Sequence, residues 1–188
     1  MSINDTDYDP DDNFANSAEG GGAVDDEAAL EEHIWHLLLL INPGDEESAL
    51  QQFGEWQERM QESSEDDDET LPVLRDVIDW KSGFRVPLDE PDVLMDALGE
   101  LAARVGVHID WDIDDDEDAA DSADSASLIA QAHDRLRQDG YSLWTWSPRG
   151  ESDEEIVSGW ITPRFEDQPL RVLCETLGVE LRAGSTWG

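Results

Sequence analysis

The stretch of sequence that decides the fold is Gly140-Tyr141-Ser142-Leu143-Trp144-Thr145-Trp146. Side chains of an extended strand alternate between two faces, so Tyr141, Leu143 and Thr145 share one face. Trp144 and Trp146 then share the other face. Because both faces are partly apolar, the pattern is typical of a central strand that is covered on both sides. We therefore predict that this strand lies in the interior of a sheet.

Strand and helix patterns continue from this strand in both directions. A further strand is predicted upstream, because Val107, Ile109 and Trp111 alternate with the polar His108 and Asp110. From residue 107 onward, the predicted elements are a strand at 107–113, a helix at 125–139, strands at 141–146 and 156–162, a helix at 167–177 and a strand at 179–181. This β-α-β-β-α-β order matches the ferredoxin-like arrangement.

Two or three helices and one βα unit are predicted before this C-terminal core. The first helix begins at Asp25 and ends at residues 42–44, Asn-Pro-Gly. The second helix is capped near Asp45, the third begins at Thr70, and the strand of the βα unit begins at Gly83. We therefore predict an α+β fold, with a mixed sheet whose C-terminal core is ferredoxin-like.

The acidic residues divide the chain into regions. The chain has 188 residues and a net charge of −37, and 26 of its 48 acidic residues lie in residues 1–32, 62–69 and 110–124. Residues 1–24 have almost no apolar surface to bury, so we predict a disordered acidic tail there. Residues 25–188 are predicted to form a single domain, with acidic loops at 62–69 and 110–124.

This charge limits the classes of partner. A strongly negative protein repels nucleic-acid phosphates and anionic lipids, so we expect no binding to nucleic acid or membranes. A basic protein is the favoured partner. The single cysteine, Cys174, excludes an intramolecular disulfide. The apolar run 34–41 is too short to span a bilayer and no secretory signal is evident, so a cytoplasmic location is expected.

Five motifs carry a family resemblance. They are INPGD (41–45), DWKSGF (79–84), AHDRL (132–136), GYSLWTW (140–146) and GWI (159–161). With these motifs the sequence resembles, over roughly residues 33–183, a bacterial family catalogued only as a domain of unknown function. The resemblance implies a bacterial protein and assigns no catalytic residue, cofactor or partner.

One acidic run begins like a calcium-binding loop. Its residues are Asp110-x-Asp112-x-Asp114. An EF-hand loop needs a glycine at its sixth position and a glutamate at its twelfth, but this chain has Asp115 and Asp121 there. A hydrated acidic loop is therefore the favoured interpretation.

The histidines and the cysteine also favour structural roles. His33 and His36 are three residues apart on a helix, but no third metal ligand is evident. The adjacent His133 and Asp134 point about 100° apart on a helix, so they cannot form a catalytic pair. Cys174 lies on an apolar helical stripe and is expected to be buried and inert. No catalytic, metal or cofactor site is predicted.

A ligand patch is predicted where polar strand residues meet tryptophans. The tryptophans expected in the core or in a pocket wall are Trp80, Trp111, Trp144, Trp146 and Trp160. If one sheet face is open, His108, Asp110 and Asp112 lie on it beside Trp144 and Trp146, where a cationic or sugar-like ligand would bind. Asp110 and Asp112 are expected to stay hydrated, because burying an unpaired carboxylate is costly.

These observations favour a non-catalytic binding or regulatory module, of the immunity or inhibitor type, for a basic protein. A DNA mimic and an enzyme without a recognisable motif are the alternatives. A mimic needs carboxylates at fixed spacing, whereas more than half of the acids here lie in the predicted tail and loops. Adaptation to salt would also explain the acidity. The arginines expected to pair with carboxylates, rather than to form an anion site, are Arg135, Arg137, Arg149 and Arg164.

Overall fold

The computed structural model describes residues 22–63, 69–111, 123–151 and 155–187. The helices are α1 (Gly22–Ile41), α2 (Glu46–Glu62), α3 (Thr70–Val77), α4 (Pro91–Arg104), α5 (Ser125–Gln138) and α6 (Asp167–Thr176). The strands are β1 (Phe84–Pro87), β2 (Tyr141–Pro148), β3 (Ile156–Pro163) and β4 (Val179–Ala183). Short 3-10 helices cover Arg164–Glu166 and Gly184–Thr186. The predicted α+β class is confirmed, as are three helices and a βα unit before the C-terminal half.

The four strands form one sheet in the order β1-β3-β2-β4. Strand β2 is an interior strand, with β3 on one side and β4 on the other. Trp144 of β2 lies opposite Trp160 of β3, and Trp146 lies opposite Leu181 of β4. The prediction that residues 141–146 form an interior strand is therefore confirmed.

Helices cover both faces of the sheet. On one face, Trp144, Trp146 and Trp160 pack with buried residues of α1, α2, α3 and α6, and we call this the first core. On the other face, Leu143 and Ile161 pack with α4 and α5 in the second core. The rings of Trp146 and Trp160 stack with their centroids 4.9 Å apart. The alternation along β2 thus distributes its side chains between two separate cores.

The predicted strand at 107–113 is wrong for the residues that the structure describes. Residues 107–111 lie in no helix or strand. Val107 and Ile109 are buried in the second core, whereas His108 and Asp110 are exposed. The alternation therefore arises because one side of an extended segment is buried, and it does not indicate a strand pair.

The ferredoxin-like order and the mixed sheet are not confirmed. Strand β1 occupies the position beside β3, with Phe84 opposite Gly159. All three ladders between the described strands are antiparallel. Gly159 permits this packing because a Cβ atom there would lie 2.5 Å from the Phe84 ring. The edge strand thus comes from the upstream βα unit and not from residues 107–113.

Local sequence signals set most helix ends. The Asp45 carboxylate accepts a hydrogen bond from a backbone N–H in the first turn of α2, as predicted for an N-cap. Gly106, Gly140 and Gly178 follow α4, α5 and α6, and each has a positive φ. Helix α1 begins at Gly22, slightly before the predicted start. The described ranges leave out most of the predicted tail and acidic loops, namely residues 1–21, 64–68 and 112–122.

Candidate anion-binding cleft

The structure separates the residues of the predicted ligand patch. His108 and Asp110 are exposed, with 3.2 Å between Nε2 and Oδ1. Trp144 and Trp146 belong to the first core, whereas the segment that carries His108 packs on the second core. The sheet therefore lies between the two pairs of residues. Asp110 is hydrated, as expected, and Asp112 falls outside the described residues.

The histidines and the cysteine lie in three different places. His33 and His36 border an apolar cavity of about 600 Å³ between α1 and α6. His133 is buried, with its Nδ1 3.1 Å from the carbonyl oxygen of Leu143, and desolvation lowers its pKa. Cys174 is buried, as predicted, and desolvation raises the pKa of its thiol to about 12. The described ranges contain no group of three or more His, Cys, Asp or Glu that could hold a metal ion.

Among the residues that the structure describes, four arginines form ion pairs. The pairs are Arg59 with Glu55 and with Asp76, Arg104 with Asp45, Arg135 with Asp139, and Arg137 with Asp167. The predicted pairing of Arg135 and Arg137 with carboxylates is confirmed. Arg149 and Arg164 form no ion pair with any residue that the structure describes. Their expected pairing is therefore not found.

Half of the arginines line a single cavity of about 790 Å³. These five residues are Arg75, Arg85, Arg149, Arg171 and Arg182. Within the described part of the chain, none of the five forms an ion pair. An adjoining cavity of about 290 Å³ shares Arg75, Arg85, Trp146 and Ser158 with the first. We call the two cavities together the arginine cleft.

The strand register places the floor of this cleft on the face of the first core. The residues on either side of Arg85 in β1 are buried in the second core, so Arg85 points to the opposite face. Arg85 lies opposite Ser158, Ser158 opposite Trp146, and Trp146 opposite Leu181. All four residues line the larger cavity. One row of residues across the four strands therefore forms the floor.

Two helices supply further guanidinium groups. Arg171 of α6 lies over Trp144, with its Cζ 4.7 Å from the ring centroid. Arg171 forms no ion pair with a described residue, so its N–H groups are available to a ligand. Arg75 lies in the last turn of α3, and its Nε is buried without a hydrogen-bond partner among the described residues. An unpaired buried donor costs roughly 1–3 kcal/mol, which an oxyanion in the cleft would offset.

The remaining lining gives the larger cavity a positive charge. Arg149 follows β2, and Arg182 of β4 lies over Trp187, with 5.3 Å from its Cζ to the ring centroid. The carboxylates that line the same cavity are those of Glu151, Glu175 and Glu180. The lining thus contains five guanidinium groups and three carboxylates, in a chain whose net charge is −37. By the strand register, Arg182 and Glu180 point to the face of the second core, opposite the floor. This local excess of positive charge is opposite to that of the whole protein.

A buried polar network lies beside the cleft and joins two of the motifs. Gln52 donates from Nε2 to Ser82 Oγ at 2.7 Å and to Asp79 Oδ1 at 3.1 Å. It accepts a hydrogen bond at its Oε1 from Asn42 Nδ2, at 3.0 Å. The network holds the loop after α3 against the turn between α1 and α2. That loop carries Trp80, which is 63% exposed and lines the smaller cavity.

No pattern in the sequence identifies the arginine cleft. Arg75, Arg85 and Arg171 lie on three different elements, so neither spacing nor a local motif connects them. The available signal is a charged residue at position 85 in a strand whose neighbours on both sides are apolar. That signal indicates a strand face that is open to solvent, and it does not identify the other two residues.

These features define an α+β protein in which a four-stranded antiparallel sheet lies between two helical layers and carries an arginine-lined cleft. The chain belongs to the family described as domain of unknown function (DUF6630), which it matches over residues 33–184. The predicted resemblance to such a family is therefore confirmed. No curated protein and no solved structure matches the chain. None of the helices in the described ranges combines the length and the apolar character needed to cross a membrane.

Proposed function

We propose that the protein is a non-catalytic binding module that holds a small anionic ligand in the arginine cleft. The observation that carries this proposal is the placement of five of the ten arginines around one cavity, without ion pairs to described residues. In so acidic a chain, arginines on the surface readily find carboxylate partners, as Arg59, Arg104, Arg135 and Arg137 do. Arginines that remain together without such partners are suited to bind an anion from solution.

The chemistry of the cleft supports this function. A guanidinium group presents a fork of N–H donors that matches the oxygens of a carboxylate or a phosphate. The Trp144 ring holds the guanidinium of Arg171 by a cation–π contact, with 4.7 Å from Cζ to the ring centroid. The volume of the larger cavity, about 790 Å³, lies within the range of about 300–1,000 Å³ that is usual for small-molecule sites.

The overall charge restricts the size of the ligand. A polyanion brings many charges close to a protein of net charge −37, and this repulsion opposes its binding. A small anion is affected less, because salt screens charges beyond roughly 8 Å at physiological ionic strength. The expected lack of nucleic-acid and membrane binding is part of this proposal.

A basic protein partner is a second proposal, and the charge distribution supports it. More than half of the acids lie in three acidic segments, which would accelerate encounter with a basic surface. The immunity or inhibitor type of module fits this second interaction. Capture of a basic protein by a variant whose arginine cleft is disabled would separate the two proposals.

The anion-binding proposal is tested with sulfate as the probe. The midpoint of thermal unfolding is measured in sodium sulfate and in sodium chloride at equal ionic strength, for the wild type, Arg171→Gln and Arg164→Gln. Sulfate also stabilises proteins by exclusion from their surface, so only the difference between the variants is informative. Sulfate should stabilise the wild type and Arg164→Gln more than it stabilises Arg171→Gln. Equal stabilisation of all three proteins would contradict the proposal.

A further inference from the structure

We infer that the ligand of the arginine cleft is a phosphate monoester of a small organic molecule. This inference rests on the proposed function and specifies the ligand. The phosphate binds at Arg75, Arg85 and Arg171, and the organic part lies on the apolar lining further along the cavity.

The number and origin of the donors favour phosphate over carboxylate. Arg85 of β1 belongs to the floor of the cleft, and Arg75 of α3 and Arg171 of α6 line the same cavity, so the three come from separate elements. A phosphate monoester offers three acceptor oxygens and between about 1.5 and 2 negative charges at neutral pH. A carboxylate offers two oxygens and one charge, which a single bidentate arginine can satisfy. Three guanidinium groups therefore match a phosphate better.

Two donors in the lining of the cleft, one of them within the Arg75 guanidinium, lack a partner among the described residues. The buried Nε of Arg75 has no hydrogen bond within the described ranges. The hydroxyl of Ser158, which lies between Arg85 and Trp146 on the floor, has no hydrogen bond to a described residue either. A tetrahedral oxyanion provides acceptors in several directions, so it can accept from these two donors as well as from the other guanidinium N–H groups.

The size and lining of the cavity require more than an inorganic ion. Beyond the phosphate position, the wall contains the partly exposed apolar residues Pro148, Ile156 and Leu181. A ligand that covers this wall gains roughly 25 cal/mol for each Å² of apolar surface removed from water. An inorganic phosphate leaves this surface to water. The organic part of the ligand accordingly contributes to affinity.

The carboxylates of the cleft limit the ligand to one phosphate group. Glu151, Glu175 and Glu180 line the larger cavity, and Glu100 lines the smaller one. A second phosphate along this wall would meet like charges, in addition to the field of a chain of net charge −37. A phosphate monoester with an apolar or aromatic organic part therefore fits better than a polyphosphate or a nucleic acid.

The test is isothermal titration calorimetry of the full chain with three probes at constant ionic strength. The probes are phenyl phosphate, inorganic phosphate and phthalate, used at about pH 8, where a phosphate monoester is close to a dianion. Phenyl phosphate should bind most tightly, inorganic phosphate more weakly, and phthalate weakest. Arg75→Gln should weaken phenyl phosphate binding roughly tenfold or more, since a charged hydrogen bond is lost. Arg164→Gln removes the same charge outside the cleft and should leave the dissociation constant unchanged.

Each contrary outcome overturns a defined part of the account. Phthalate binding as tightly as phenyl phosphate would overturn the preference for phosphate and leave anion binding intact. Equal affinity for inorganic and phenyl phosphate would overturn the role of the organic part. Failure of all three probes, together with no specific sulfate effect, would overturn the proposed function itself. If Arg75→Gln fails to fold by circular dichroism, Ser158→Ala takes its place, with a smaller loss of affinity expected.

Discussion

The guanidinium of Arg171 lies 4.7 Å from the ring centroid of Trp144. The same ring donates a hydrogen bond from Nε1 to Thr162 Oγ1 at 3.1 Å, inside the sheet. Trp144 is 2% exposed and Thr162 is fully buried. The tryptophan thus connects the core of the sheet to a charged group of the cleft, and the position of Arg171 depends on correct packing of β2 and β3.

Trp144→Phe should lower the free energy of unfolding by about 1–3 kcal/mol, because the buried Thr162 hydroxyl loses its partner and the smaller ring leaves a gap. Urea unfolding followed by circular dichroism measures the change. Trp80→Phe is the matched control, since Trp80 is 63% exposed and its replacement should change stability by less than about 0.5 kcal/mol. Equal effects of the two substitutions would contradict the assigned role of Trp144.

Gly159→Ala should destabilise the protein by about 1–3 kcal/mol. The added Cβ would lie 2.5 Å from the Phe84 ring and from the Trp144 carbonyl oxygen, so β1 must move away from β3. Gly54→Ala provides the control, because Gly54 lies in the interior of α2 with nothing near its Cβ position. There the change should stabilise by about 0.5–1 kcal/mol, through higher helix propensity. Differential scanning calorimetry of both variants should show midpoint shifts of opposite sign.

Gln52→Ala should cost about 2–4 kcal/mol, since it removes hydrogen bonds to Asn42, Asp79 and Ser82 in a buried network. Its neighbour Gln51 is exposed on the same helix, so Gln51→Ala should be nearly neutral. Chemical denaturation distinguishes the two variants. If neither Gln52→Ala nor Gln51→Ala changes the free energy of unfolding, the network does not hold the loop that carries Trp80.

The pH dependence of stability should contain a contribution from His133. Its pKa is lowered, chiefly by desolvation and also by Arg137, although hydrogen bonding to Leu143 and the carboxylates of Asp134 and Asp167 oppose this. The unfolded chain therefore binds the proton more tightly than the folded chain. The contribution of neutral His133 is complete above about pH 6.5 and is lost as the pH falls toward the folded pKa.

Urea unfolding at about pH 7.5 and pH 5.5 tests this expectation. Titration of carboxylates also changes stability at the lower pH, so the wild type is compared with His133→Gln. His36→Gln serves as the control, because His36 is exposed. The loss of stability on acidification should be smaller in His133→Gln than in the other two proteins. Identical losses in all three would show that His133 makes no such contribution.

The sequence predicts the parts of this fold that depend on local chemistry. The alternation along β2 identifies an interior strand because its side chains face two apolar cores. Helix ends at Gly106 and Gly140 are predictable because glycine adopts, at little steric cost, the positive φ that commonly ends a helix. Both residues have a positive φ in the structure. Residues 107–111 give a strand-like pattern without a strand, because burial of Val107 and Ile109 produces the same alternation as pairing does.

The arginine cleft depends on the tertiary structure. Arg75, Arg85 and Arg171 are brought together only when β1 pairs with β3 and when α3 and α6 cover the same face. The residues of the predicted patch are separated for the same reason. His108 and Trp144 would share a sheet face only if residues 107–113 formed a strand next to β2, and that pairing is absent from the described residues.

The most direct test of the central claim is a nuclear magnetic resonance titration of the tryptophan indole N–H signals with phenyl phosphate. Trp146 lines the arginine cleft, whereas Trp35 of α1 packs against Phe53 and does not line the cleft, and each signal is assigned by a Trp→Phe variant. The account predicts a saturable shift of the Trp146 signal, no shift of the Trp35 signal, and loss of the Trp146 shift in Arg171→Gln. A Trp146 signal that does not move, or that moves equally in Arg171→Gln, would contradict anion binding in the cleft.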